Sequence, residues 1–262
     1  MAILLTKLLL APLCVVAVSI AGRRWGIAAA GVLGGLPVVA GPILLVLTLV
    51  HGRSFGAQAA AGTLLGLAAL TLFVITYGRI SQKAGPALSV TVGWTAFLIG
   101  VGILDPLELS PAVELILVGT GFAIGLSLLP PPREPLATAA TPPWWDLPAR
   151  ALASATLVLI LTAASGTLGA GLSGLLAPFP IVTSVLAIFT HAHGGPDQVR
   201  VLLRNFLVGF YGFAAFCFVL AVSLPSLSVA TAFLAALASA VLIQAAVFSL
   251  RRRLLRPQPA EG

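Results

Sequence analysis

Apolar residues fall in long runs separated by short polar joints, and neither strict alternation nor a one-sided helical stripe describes them. The runs cover about residues 2–20, 26–50, 57–78, 86–104, 112–129, 149–165, 168–192, 201–223 and 229–250. A helix needs about 20 predominantly apolar residues to cross a bilayer. The pattern therefore predicts an all-α, polytopic membrane protein with about nine transmembrane helices. The first run carries Lys7 and a signal-like ending at Ala17-Val18-Ser19. Arg23 and Arg24 follow at once, which disfavours export, and a comparable run recurs at 150–165, so it reads as a retained span. The one long linker, 130–148, holds Pro130-Pro131-Pro132-Arg133-Glu134-Pro135 and Thr141-Pro142-Pro143, and those two segments cannot be helical. Trp144-Trp145 then read as an interfacial anchor ahead of the sixth run.

Two runs are interrupted in the same manner. The second contains Gly31-Val-Leu-Gly-Gly35-Leu-Pro37-Val-Val-Ala-Gly41-Pro42, and the seventh contains Gly174-Leu-Leu-Ala-Pro178-Phe-Pro180-Ile-Val-Thr-Ser184. Each run ends in Thr-x-x-His-Gly, at Thr48–Gly52 and Thr190–Gly194. Proline removes a backbone donor and clashes one turn back, at about 3 kcal/mol inside a helix. Backbone freed in this way has to be buried in protein or face a cavity. Paired interruptions in two halves of a chain are a sequence pointer to a transporter's substrate site. Gly35, Pro37, Gly41, Pro42, Pro178 and Pro180 are accordingly the candidate substrate-binding positions. Kinking for packing alone is the competing reading, since no polar side chain accompanies the prolines.

Composition supports the membrane assignment. Of 262 residues 59% are hydrophobic and 8% charged, with a mean hydropathy of +1.12; soluble domains carry roughly 25% charged residues. The net charge of +7 would suggest nucleic acid in a soluble protein. Here the basic residues lie between apolar runs, without the aromatic-interleaved basic surface of a nucleic-acid binder. They report orientation and contact with anionic lipids at the cytoplasmic face. Lys7 and Arg53 fall on one side of a nine-span chain and the other twelve of the 14 basic residues on the other. That split places the N-terminus outside and the C-terminus in the cytoplasm. The outer joint carries Asp105, Glu108 and Glu114, the last in the first turn of the fifth span, where a carboxylate complements the helix dipole. The richness in arginine, alanine, glycine and proline resembles a GC-rich bacterial genome and implies the bacterial cytoplasmic membrane. Cys14 and Cys217 lie deep in apolar runs and read as small buried hydrophobes.

Sliding the chain by 143 residues sets Lys7 on Arg150, Gly31 on Gly174, Leu33 on Leu176, Pro37 on Pro180 and Val39 on Val182. Loss of one residue then sets Thr48, His51 and Gly52 on Thr190, His193 and Gly194, and a later gain restores Leu64 and Gly66 to Leu207 and Gly209. Joints that carry Arg or Lys in one half are bare in the other, as copies of opposite orientation require. The expected architecture is two inverted four-helix repeats, residues 1–104 and 149–250. A connecting helix and Pro-rich linker at 105–148 join them, and a basic tail occupies 251–262. The order of apolar helix, Gly-Leu-x-x-x-Phe-Pro, long apolar run, short polar loop and phenylalanine-rich helix resembles the small bacterial GlpM-like membrane proteins. It does so through Gly174, Leu175, Phe179 and Pro180 and more loosely through Gly31 to Pro37. Those proteins are single four-span units, so the resemblance implies two fused units and no particular reaction.

Other chemistry is sparse. No Asp, Glu, Lys or Arg lies mid-span, which counts against a conventional proton antiporter. The mid-span polar groups Asn205, Gln244, Tyr77 and Tyr211 suit hydrogen bonds between helices. His191, His193 and Asp197 have ligand-type side chains, but an i, i+2 pair on a helix points to different faces, and solvated loop histidines fit better. His51 and His193 suit capping or interfacial roles. No Gly-x-Ser-x-Gly, His-Glu-x-x-His or phosphate-binding loop occurs, so no enzyme and no cofactor are expected. The sequence points to a small permease or channel for an uncharged or amphiphilic solute, capable of homo-oligomer formation, with a non-transporting membrane subunit as the alternative.

Overall fold

The computed structural model describes residues 2–129, 143–165 and 179–254. Among them the chain is helical: α1 Ala2–Trp25, α2 Ile27–Gly34, α3 Ala40–His51, α4 Arg53–Ile80, α5 Pro86–Leu104, α6 Pro111–Leu128, α7 Asp146–Ser165, α8 Ile181–Ser223 and α9 Val229–Leu254. Six of these are long and apolar enough to cross a membrane. Pro86 and Pro111 stand in the first turns of α5 and α6, where the missing N–H costs no helical bond. The linker at 130–142, Pro178 and the Gly174-Leu175 pair lie outside the described residues.

The nine apolar runs and the nine helices among the described residues do not correspond one to one. The second run is split: α2 stops at Gly34, residues 35–39 form an irregular turn, and α3 resumes at Ala40. Pro37 has no N–H for the Leu33 carbonyl, which takes the Leu36 N–H instead at 3.2 Å, and Pro42 withholds a donor from Val38. The seventh and eighth runs instead meet within α8, two helical arms on either side of a non-helical Gly195, where φ is 75° and ψ −176°. Gly52, between α3 and α4, holds the same left-handed-to-extended geometry, φ 91° and ψ 168°. Only glycine adopts that φ without strain. Gly52 and Gly195 are 143 residues apart, as are the starts of α5 and α9, Pro86 and Val229, and the ends of α4 and α8, Ile80 and Ser223. The same backbone geometry thus recurs at Gly52 and Gly195 at the unbroken spacing of 143, one residue from the pairing of Gly52 with Gly194 read in the sequence.

Two pairs of helices run antiparallel. The end of α1 meets the start of α7 through Arg23 Nη2 and Asp146 Oδ2 at 2.7 Å. At the start of α4, Arg53 donates to the Leu227 carbonyl just beyond α8, while past its end Gln82 donates to the Pro196 carbonyl at the bend. The arm of α8 after Gly195 thus lies antiparallel to α4. Helix α6 packs on both, with Gly125 against Ile75 of α4 and Leu207 of α8. The Arg204 guanidinium donates to the carbonyls of Leu126 and Leu129 and closes the C-terminal end of α6. Arg23, Arg79, Arg150, Arg200 and Arg204 gather at this end of the bundle, and Arg53 stands at the other.

Candidate functional site

The break at 35–39 lies midway along the second arm of α8, against a row of small residues. A side chain at Gly31 would meet the Leu202 carbonyl and Asn205, and one at Gly35 would stand 2.7 Å from the Phe206 carbonyl and 2.9 Å from Gly209 Cα. The two backbones approach this closely because neither Gly35 nor Gly209 has a Cβ. Pro37 and Gly41 are also buried, Gly41 beneath the Phe216 ring, whereas Pro42 and Val38 face outward. Of the predicted positions, Gly35 and Gly41 thus share one interior seam with α8, and Pro37 is buried between them in the chain. Pro180 is buried too, at the start of α8. Beside it Phe179 packs on Trp94 and Phe97 of α5, and Trp94 Nε1 donates to Ser184 Oγ at 2.9 Å. Leu186 on the first arm of α8 and Phe206 on the second both lie beside Gly34 of α2.

One polar group at this level has no answer. Gln244, on α9, is 8% exposed, and neither its Oε1 nor its Nε2 has a hydrogen-bond partner among the described residues. Its Oε1 occupies the notch left by Gly212 of α8, 3.1 Å from where a Cβ would stand, and the Leu36 side chain enters the same notch from the break. An unpaired buried amide costs roughly 1–3 kcal/mol in proteins. The sequence marked Gln244 as a helix-to-helix hydrogen bonder, and the structure corrects this: α9 and α8 offer it no partner. Asn205, read the same way, donates within its own helix to the Val201 carbonyl at 2.8 Å.

A groove of about 460 Å³ opens between α5, α7 and the first arm of α8, with Trp94, Leu152, Thr156, Val185 and Phe189 on its walls. Its lining carries no charged residue, and a charged cluster stands beyond it at the start of α7. Asp146, fully buried, receives Arg23 at 2.7 Å and Arg150 at 2.9 Å, and the Arg150 guanidinium lies over the Phe189 ring at 4.9 Å. Burial pushes the Asp146 carboxyl up. The hydrogen bond and charge of Arg150, the hydrogen bond of Arg23 and the charge of His193 outweigh this and hold it below the ordinary carboxylate range. The sequence reading passed over Asp146. Its signal was the Asp-x-x-x-Arg spacing to Arg150 on a helix.

The histidines are not loop residues. His191 is buried in α8 with its Nδ1 3.5 Å from the Tyr77 hydroxyl, and His193 donates through Nδ1 to the Phe189 carbonyl, 2.8 Å away, beside Trp145. Helix α8 continues through both, so they diverge, and Asp197 pairs with Arg200. Among the described residues no three metal-ligand side chains converge. Comparison of the chain with protein-family models, curated proteins and solved structures finds no match in any of the three.

Proposed function

We propose that the protein is a small permease or channel for an uncharged or amphiphilic solute. In this reading it is built from two inverted four-helix repeats joined by α6, in the bacterial cytoplasmic membrane, with the N-terminus outside. The observation that carries this reading is the broken second span beside the unpaired amide of Gln244. A helix interrupted at mid-depth, next to a buried amide with a free donor and a free acceptor, offers hydrogen bonds to a solute in an otherwise apolar interior. The absence of charge at that level suits an uncharged ligand. The antiparallel pairing of α1 with α7 and of α4 with α8, and helix boundaries that recur after 143 residues, support the inverted repeat. They agree with two fused GlpM-like units.

The close approach of Gly35 to Gly209 favours a second reading, a non-transporting subunit with a filled core. Vesicle permeation separates the two. Protein reconstituted into liposomes is challenged with gradients of uncharged polar and amphiphilic solutes, and shrinkage is followed by light scattering. The permease reading expects a solute-selective rate above that of empty vesicles, lost in Gln244→Leu while the variant stays monodisperse and folded. Rates equal to empty vesicles across the panel leave the subunit reading. Labelling of single cysteines at positions 108 and 138 tests the topology; appearance of both on one side removes α6 as a span.

A further inference from the structure

We propose that Glu114 is a proton-binding site in the wall between α6 and α8, loaded and unloaded from the end of the bundle that carries Arg53. The first turn of α6 is not where the dipole alone would hold a carboxylate in water: Glu114 is 4% exposed. It lies on the buried stripe Glu114, Val118, Phe122 and Gly125 that seats α6 on its neighbours. Further along that stripe Phe122 packs on Phe210 and Tyr211 of α8, with ring centroids 5.8 and 5.1 Å apart, and Gly125 meets Leu207. An acid therefore stands where the pattern calls for a hydrophobe.

Among the described residues no cation pairs with it. Its Oε2 has no hydrogen-bond partner among the described residues. The titratable group that faces it from α8 is the buried thiol of Cys217. Helix α4 carries no titratable side chain between Arg53 and Tyr77, and α6 carries no other. An unpaired carboxylate in such a place is disfavoured as an ion, and the group takes up a proton instead. Uptake forms one O–H bond at a carboxylate oxygen with a proton from the aqueous phase. Release returns the proton and leaves the electron pair on the oxygen. Because the ionised form needs water, release favours loosening of the α6–α8 seam at that end. An ionisable group inside a membrane bundle is by default a functional position. A coupling of this proton to solute movement rests on the permease reading; the site itself does not.

Carbodiimide modification of the full-length protein in lipid nanodiscs tests the site. The reagent attacks protonated carboxyls in apolar surroundings and leaves a stable acylurea that peptide mass spectrometry locates. Labelling is expected at Glu114, falling several-fold as the pH is raised, and absent from the paired Asp146 and from Glu114→Gln. Infrared difference spectra of the unmodified protein should show a protonated-acid carbonyl band that disappears over the same pH range and is missing in Glu114→Gln. No label at Glu114, a label that ignores pH, or a carboxylate band at every pH overturns the proposal. Protection by sodium ions in place of protons does so as well. These outcomes are independent of vesicle permeation. A labelled Glu114 in a protein that moves no solute overturns the permease reading and leaves the proton site standing.

Discussion

Two carboxyls occupy the same kind of position in this protein and meet opposite surroundings. Asp146 begins α7 and Glu114 lies in the first turn of α6, and both side chains are almost wholly out of contact with solvent. Asp146 is held by Arg150 from one turn along its own helix and by Arg23 from the end of α1. Glu114 has a thiol and a hydrocarbon wall. A buried carboxyl surrounded by guanidinium groups is a fixed ion that ties helices together. The same group without them is a neutral acid that exchanges a proton. Burial alone does not distinguish a structural acid from a working one; the charge brought to it by neighbouring helices does.

The largest expected effect comes from removing the paired acid. Asp146→Ala leaves the mostly buried Arg150 without its counter-ion, and loss of one partner of a buried pair costs about 3–5 kcal/mol. Thermal unfolding of the purified variant in detergent should show that loss; a variant as stable as the parent would end the distinction drawn above. Acid should reproduce part of it. Folding holds the Asp146 carboxyl below its ordinary value, so its contribution is complete above that ordinary value and fades as pH falls through the lower folded one. Stability of the parent should therefore drop below about pH 4, and Asp146→Asn should lack that decline.

Glu114→Leu should behave in the opposite sense. Replacing a lone buried acid by a hydrophobe of similar volume is expected to be neutral or to stabilise by about 1–2 kcal/mol. An unfolding temperature well below the parent's would mean that Glu114 has a partner it needs. The smallest change is expected from Arg23→Gln. Arg23 is about a third exposed, solvent screens its pair with Asp146, and Arg150 remains; a loss of about 0.5–1 kcal/mol should appear in the same unfolding assay. A cost as large as that of Asp146→Ala would make Arg23, and not Arg150, the principal partner.

Much of the fold was legible in the residues. Runs of apolar side chains identify membrane helices because lipid can satisfy no backbone hydrogen bond, so each run has to close its own. Pro37 and Pro42 marked the break between α2 and α3 because a missing N–H is a local fact of chemistry. The grouping of Arg23, Arg79, Arg150, Arg200 and Arg204 at one end follows from counting joints between runs. What no run revealed was which side of a helix meets which neighbour. Glu114 read as a first-turn carboxylate complementing the helix dipole, Gln244 as a hydrogen bonder and His191 as a loop residue. Each reading changed once α8 continued past Thr190 to its bend at Gly195 and its second arm packed against α4, α6 and α9. Asp146 gained its importance only when the end of α1 was laid against the start of α7, 123 residues away in the chain. A sequence fixes where a helix can begin and break, because those limits are set by each residue's own backbone. The partner of a buried polar group is set by rotation and crossing of whole helices, which depend on side chains distributed over the entire bundle.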